Sequence, residues 1–363
     1  MLDLLSDAIT SPPGWNKDSH PGLTINNIVS CIVTTDFGFA TFLNPKVNAA
    51  FKKILDAWTR YLATPDSTNT LTASGWLSDD AMFKLAMYLP TLSETNVPLL
   101  TPTARFKAAF VRLSNFEHRT WGFHSWDNFF ARRFVDIDKI RPLPIPDEPN
   151  VIVSPCESTI YNIDTNATET GKFWLKGTAY SVRMMLNDDE FAPLFYGGTV
   201  YQAFLDVWDY HRWHSPVNGT VMRVVNVPGT YYALPPDFYK DLKTDKEVQG
   251  IVEAQAYLAV AATRALIFIE SDNLDIGLVC FIGVGMIDVS SCEITVRAGD
   301  RVKKGDQIGS FHFGGSTSCL LFQPSCEFVL DPELHAPPNV PPSKASHVPI
   351  RARLGTLTKK KGE

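Results

Sequence analysis

The chain has 363 residues, of which 45% are hydrophobic and 20% charged, with 33 Lys and Arg against 39 Asp and Glu. This is the profile of an ordinary soluble globular protein, and it excludes collagen-like, disordered and strongly basic classes. The net charge of −6 leaves no electrostatic footprint for nucleic acid and works against docking on an anionic membrane; the basic run Lys359-Lys360-Lys361 stands at the C-terminal end.

The N-terminal stretch Met1 to Pro13 carries Asp3 and Asp7 and lacks the basic and apolar segments of a secretory signal. From Asn44 the apolar positions Val47, Phe51, Ile54, Leu55, Trp58 and Leu62 recur at helix spacing, with Asn44 as N-cap and Pro45 as first helical residue. A second helix is expected from Ser78 through Met82, Leu85, Ala86 and Leu89, stopped by Pro90, and a third from Thr103 to Leu113. Trp121 to Phe134 is dense in aromatic residues and ends in Arg132-Arg133. The eight tryptophans read mainly as core.

The Pro-rich run from Arg141 to Pro149 marks a boundary. Beyond it the texture turns to short β-type runs: Val151–Val153, Thr199–Phe204, Thr220–Val227, Ala265–Glu270, Gly277–Ile287, Glu293–Val296 and Ser318–Phe322. The apolar stretch Ile276 to Ile287 is shorter than the roughly 18 to 20 residues of a spanning helix and reads as buried strand. The fold class is α+β, with a helical domain over 1–140, a β-rich domain over 150–331 and a Pro-rich tail over 332–363 that is extended and loosely held. Cys31, Cys156, Cys280, Cys292, Cys319 and Cys326 form no C-x-x-C pair, so buried thiols in a reducing, cytoplasmic compartment are expected.

Three segments carry chemistry. In Val302 to Thr317, a turn at Lys304-Gly305-Asp306 and a strand deliver the corner Gly314-Gly315-Ser316-Thr317, where a serine hydroxyl stands beside a carbonyl that no side chain guards. It is not the G-x-S-x-G elbow of serine hydrolases. Asp209 to Gly219 holds His211 and His214, three apart and without a third ligand that would make a metal site. Ser154-Pro155-Cys156-Glu157-Ser158 places a carboxylate between apolar runs.

In chain order the segments resemble the phosphatidylserine decarboxylase family of pyruvoyl-dependent enzymes, with its motifs S-P-x-D-G, Y-H-R-x-H-x-P-x-x-G and K-G-x-x-x-G-x-F followed by G-S-T, matched at Ser154 to Ser158, Tyr210 to Gly219 and Lys304 to Thr317. Asn128 to Phe134 with Arg141-Pro142, Lys176-Gly177 with Tyr180-Ser181, and Val284-Gly285-Met286 with Val289 extend the resemblance over residues 125 to 330. Gly38 to Pro45 and the helix that follows are similar to the fungal tryptophan decarboxylase-like branch. There are two departures from the family pattern: Glu157-Ser158 replaces Asp-Gly, and Gly314 replaces the Leu or Val that often stands before Gly-Ser-Thr.

The resemblance implies a phosphatidylserine decarboxylase-like core and a carboxy-lyase matured by self-cleavage between Gly315 and Ser316. Ser316 is then the nucleophile and afterwards the pyruvoyl group. His214 is the base oriented by Glu157, and His214 or His211 is the proton donor to the substrate carbon. Gly314, Thr317 and His312 support the site; for His312 a hydrogen-bonded strand residue is the simpler reading. No pyridoxal phosphate and no metal are expected. The substrate is a small amino acid, the aromatic ones first, with no nucleic acid and no stable membrane insertion; a homodimer follows from the resemblance. The alternatives are a phosphatidylserine decarboxylase making phosphatidylethanolamine, and a maturation-dead homologue.

Overall fold

The computed structural model describes residues 2–16, 24–33, 35–91, 101–145, 147–170, 181–235, 254–286, 288, 291–313 and 316–360. Lys176, Gly177, Tyr180, Val289, Gly314 and Gly315 lie outside the described residues.

Helices occupy the first 140 residues: α1 (Leu2–Ala8), α2 (Thr24–Val33), α3 (Asp36–Leu43), α4 (Pro45–Leu62), α5 (Asp79–Leu85), α6 (Pro102–Phe110), α7 (Trp126–Phe130) and α8 (Ile137–Ile140). The expected start of α4 is met, since the Asn44 side chain accepts from the Lys46 amide at 2.9 Å and Pro45 opens the helix. Its Leu55, Trp58 and Leu62 are buried. Ser78 caps α5 as expected, but the regular helix ends at Leu85 and the chain runs on as turns, with Ala86 and Leu89 still buried. The third helix begins earlier than its apolar pattern suggests, because Thr101 rather than Thr103 supplies the cap. Later come α9 (Val182–Met185) and α10 (Gln255–Ala261), which the β-like texture hides.

The sheet that carries the site is antiparallel throughout. It contains β2 (Ser158–Ala167), β3 (Gly198–Leu205), β5 (Gly219–Val227), β6 (Arg264–Ser271), β7 (Leu278–Gly285), β9 (Arg301–Val302), β11 (Ser316–Phe322) and β13 (His347–Val348). Their order is β13-β2-β3-β11-β7-β6-β5-β9. Side-chain alternation splits the core in two. On one face Cys319, Leu321, Ile282 and Phe268 join the helices; on the other Leu320, Phe322, Phe281 and Ile267 face two smaller sheets. These are β1 (Val151–Val153), β14 (Arg353–Lys359) and β12 (Cys326–Leu330), and β4 (Arg212–His214), β10 (Gln307–Phe311) and β8 (Cys292–Ile294).

The C-terminal segment corrects the expectation of a loose tail. β14 lies between β1 and β12, and Val348, Ile350, Leu354 and Leu357 are fully buried. Pro332 to Pro342 form only the connection; past them the chain carries apolar residues that complete the second core.

Trp213 on β4 fills the gap between the large sheet and β10. A Cβ at Gly283 would stand 2.7 Å from its ring, and one at Gly309 would stand 2.3 Å from the ring and 2.5 Å from the Glu293 carbonyl. Backbone on one side and a fully buried indole on the other leave no room to yield. Gly309→Ala is therefore expected to cost roughly 3 kcal/mol in urea unfolding, the upper end for overpacking. A loss below about 0.5 kcal/mol, the range of ordinary surface changes, would show that the two sheets separate freely.

Candidate active site

β11 begins at Ser316, which pairs with Leu205 at the end of β3 and with Gly285 at the end of β7. Ser316 is fully buried, and among the described residues none hydrogen-bonds its Oγ. Buried polar atoms are normally paired, so this hydroxyl stands out. The next residue behaves oppositely: Thr317 Oγ1 donates to the Ala203 carbonyl at 2.8 Å and accepts from Gln202 Nε2 at 3.3 Å. Thr317 thus anchors the strand head while Ser316 stays unengaged. Upstream, Phe313 is held edge-on by Trp58 of α4 at 5.0 Å and Trp126 of α7 at 4.5 Å, so the helical region grips the chain just before the Gly-Gly pair.

The histidine motif, the carboxylate motif and the turn before β10 are joined at the end of β4. The His214 amide donates to the Pro155 carbonyl at 2.9 Å, joining the histidine and carboxylate motifs. The turn at Lys304-Gly305-Asp306 locks onto the end of β4 through Gly305 N to Ser215 O at 2.8 Å and Ser215 N to Asp306 O at 2.7 Å. Gly305 has φ +83°, and a Cβ there would sit 2.7 Å from Arg351 Nε, so both the turn and the packing require glycine.

That turn sets the state of His214. Nδ1 lies 2.8 Å from the Gly305 carbonyl, which can only accept, so Nδ1 carries the proton and Nε2 is bare. The Tyr210 hydroxyl donates toward Nε2 at 3.3 Å. Burial lowers the His214 pKa to about 4 against the opposing pull of the Gly305 carbonyl, with Arg351, Arg212 and Arg133 adding to the lowering. The imidazole is therefore a neutral base at ordinary pH.

Glu157 is buried but does not hold His214. Its oxygens take Arg141 Nη2 at 2.6 Å and Nε at 3.2 Å, and Oε2 also accepts the Ile350 amide at 3.0 Å. The expected Glu157 to His214 orientation is thus replaced by Gly305 to His214, because a buried guanidinium offers the carboxylate a stronger, two-pronged partner. In the sequence Arg141 is a matched residue before a proline-rich run, and nothing local to it signals this pairing.

His211 is fully buried and stacks on Phe130 at 3.9 Å, and among the described residues neither ring nitrogen has a hydrogen-bond partner. Burial depresses its pKa well below the usual value; Arg132 adds to this, and the backbone of Asp209 and Asp206 pulls weakly the other way. His312, after β10, is the hydrogen-bonded residue of the simpler reading, with Nδ1 2.8 Å from Asp127 and Nε2 3.2 Å from Glu293. Burial opposes its charge, yet the two carboxylates outweigh it and its pKa is raised. The six cysteines are all free; burial pushes the Cys156 thiol up, with a hydrogen bond to Ser318 acting in the other sense. Among the described residues no three His, Cys, Asp or Glu side chains gather as a metal site, and no helix is long and apolar enough to cross a membrane.

A β-rich core built around a serine at the head of its central strand defines the class, and comparison with known proteins gives the family. Residues 126–336 match a family model described as phosphatidylserine decarboxylase, and residues 1–85 match a second with that description. The chain is 39% identical to the decarboxylase iboD of Amanita muscaria over 89% of this chain and 92% of that protein. It is 34% identical to the L-tryptophan decarboxylase of Psilocybe cubensis over 90% of this chain and 73% of that one. Phosphatidylserine decarboxylase proenzyme 3 of Schizosaccharomyces pombe is 34% identical over 56% of this chain and 19% of that one. The chain belongs to the phosphatidylserine decarboxylase family and is a carboxy-lyase.

Two consequences are measurable. Arg141→Met strands a buried carboxylate and is expected to cost about 3–5 kcal/mol in urea unfolding; a cost below about 1 kcal/mol would show that Glu157 finds another partner. His214 is neutral when folded and takes a proton near pH 6.5 when unfolded, so the unfolded chain binds more protons and stability falls as pH drops from about 6.5 toward 4. His312 acts in the opposite sense, its contribution being complete below about pH 6.5 and lost as pH rises through its raised folded value. Comparing His214→Gln with wild type isolates the first effect, expected at about 3 kcal/mol between pH 7.5 and 4. Parallel pH curves for the two proteins would contradict it.

Proposed function

We propose that this chain is a pyruvoyl-dependent decarboxylase of a small L-amino acid, the aromatic ones first, matured by self-cleavage between Gly315 and Ser316. The observation that carries the reading is the orphaned, fully buried hydroxyl of Ser316 at the head of β11. A hydroxyl kept from every described partner is suited to attack the carbonyl before it, and residue 316 is fixed on both sides by strand pairing.

His214 Nε2, bare because Gly305 holds the proton on Nδ1, is the base that takes the Ser316 proton. Oγ then attacks the Gly315 carbonyl and the C–N bond to Ser316 breaks, giving an ester and a free amine on residue 316. Loss of the Cα proton and cleavage of the Cβ–Oγ bond leave a carboxylate on Gly315 and a dehydroalanine at 316. Water hydrolyses this to a ketone and ammonia, giving chains 1–315 and 316–363. The pyruvoyl group so made supplies an electrophilic carbonyl for a substrate amine and an electron sink for the pair released with CO2.

Tyr210 caps the lone pair of Nε2 and so governs when the base is available. Glu157 acts as a positioning residue: with Arg141 it fixes the Ile350 amide, and Arg351, the next residue, borders Gly305. His211, neutral in its apolar seat, serves as acid in the decarboxylation step only after taking a proton from the bound substrate. Gly315 permits close approach to its own carbonyl, and Thr317 pins the strand behind it. Free thiols throughout fit a reducing compartment such as the cytoplasm.

An amino acid is favoured over phosphatidylserine because the likeness to the L-tryptophan decarboxylase of Psilocybe cubensis runs along about nine-tenths of the chain, against 56% for the phosphatidylserine decarboxylase of Schizosaccharomyces pombe. Intact mass of freshly purified protein is expected to give two chains split at Gly315-Ser316, with a ketone at 316 trapped by an amine and borohydride. Ser316→Ala stays whole and inactive, and His214→Ala slows cleavage by about 100-fold or more, the usual weight of a positioned base. CO2 is released from L-tryptophan or L-phenylalanine but not from phosphatidylserine vesicles. A single unmodified chain, or decarboxylation of the vesicles alone, overturns the reading.

A further inference from the structure

The short helix α7 touches two of the chemistry-bearing segments at once. Trp126, its first residue, meets the Phe313 ring edge-on at 4.5 Å, and the Asp127 carboxylate, next along, lies 2.8 Å from His312 Nδ1. Two neighbours on the helix thus hold two neighbours on the segment that leads into Gly314-Gly315-Ser316. At the other end of α7, Phe130 meets Phe313 at 5.4 Å and stacks on His211 at 3.9 Å. Just past it, the Ala131 carbonyl accepts from Arg212 Nε at 2.8 Å, and Arg132 Nη2 donates to the Asp209 carbonyl at 3.0 Å. One helix therefore ties the segment that is cut to the segment that carries the histidines. The Phe311 amide, donating to the His211 carbonyl at 2.9 Å, joins the two directly.

α7 is itself fixed from the helical region. The Trp126 amide donates to Ser67 Oγ at 2.8 Å, and the Trp126 ring meets Trp76 edge-on at 5.6 Å. Trp76 Nε1 in turn donates to the Pro13 carbonyl at 2.8 Å. Trp58 of α4, the remaining ring around Phe313, donates its Nε1 to the Ser11 carbonyl at 2.9 Å. Phe313, Trp58, Trp126 and Phe130 are all buried, so Phe313 can leave this seat only by returning apolar surface to water.

Chain geometry gives that seat a bearing on the cut. Phe313 and Ser316 are separated by Gly314 and Gly315, so the two can stand no more than about 11 Å apart. The two glycines have no side chains by which they could be held, and glycine has the widest choice of backbone conformations. For the attack, Ser316 Oγ must come within about 3–3.5 Å of the Gly315 carbonyl carbon. Strand pairing with β3 and β7 pins Ser316, and the seat pins Phe313, so the linkage is confined between two fixed points and less conformational entropy remains to be lost in the attack. Resting on the decarboxylase reading above, we propose that Phe313 is a positioning residue for the self-cleavage, and that the helical region, through α7 and Trp58, is the template that places the carbonyl to be attacked.

The test follows full-length chains made by cell-free translation, with cleavage read over time on denaturing gels and thermal melts checking that each variant folds. Phe313→Ala empties the seat and is expected to slow cleavage about tenfold or more, within the roughly 100-fold that a misplacement of about 1 Å can cost. Phe313→Leu refills the seat with apolar bulk and recovers most of the rate. The pH profile of cleavage in Phe313→Ala keeps its midpoint, because the Gly305 carbonyl still holds His214. Asp127→Ala frees His312 at a less enclosed position and is expected to slow cleavage about threefold or more. Cleavage of folded Phe313→Ala at the wild-type rate overturns the proposal, and so does a displaced pH profile, which assigns the loss to the base instead. Should Phe313→Ala fail to melt cooperatively, Asp127→Ala carries the test, and wild-type cleavage there overturns it. A wild-type chain that stays whole removes the decarboxylase reading as well, whereas a wild-type chain that cuts while the variants keep pace removes only the placement by Phe313.

Discussion

Everything at this site depends on the register of one strand. β11 starts at Ser316, between β3 and β7, with ladder pairing on both edges from its first residue. A slip of one residue would exchange the two faces of the strand, sending Cys319 and Leu321 away from the helices and Leu320 and Phe322 away from the smaller sheets. Both faces are buried in separate cores, so the cost of such a slip is paid twice over and the position of residue 316 is not negotiable. Thr317 adds a side-chain tie to β3 at the point where the strand is under most demand.

Around that fixed residue the protein arranges polar groups by what each can and cannot donate. The Gly305 carbonyl accepts only, so it dictates the tautomer of His214 and leaves Nε2 bare. Arg141 occupies Glu157, so the carboxylate braces the C-terminal segment through the Ile350 amide instead of holding the imidazole. A longer acid at the position of the family pattern's Asp thus coincides with a backbone carbonyl, and not the carboxylate, holding His214.

The same architecture bears on what a break after residue 315 would do. Residues 316–360 supply β11, the middle of the large sheet, and β14, the middle of the β1-β14-β12 sheet. Two central strands, each hydrogen-bonded on both sides, keep the C-terminal segment in place without a covalent link. The aromatic clamp of Trp58 and Trp126 on Phe313 holds the other side of the break.

Much of this was legible in the residues. Asn44-Pro45 announces α4, the apolar runs locate β3, β5, β6 and β7, and the motif order identifies Ser316, His214 and Glu157, because caps, periodicity and contiguous motifs are local properties of a chain. The partners of those residues were not legible. His214 meets Gly305 across 91 positions and Glu157 meets Ile350 across 193, and no local pattern encodes such pairings. The Pro-rich connection likewise disguised β14, whose burial comes from β1 and β12 on either side of it. Local motifs were enough to identify the family and to single out Ser316 and His214 as candidates for nucleophile and base. Which groups hold His214 and Glu157 came only from the fold, since long-range packing brings Gly305, Arg141 and Ile350 to them from distant segments.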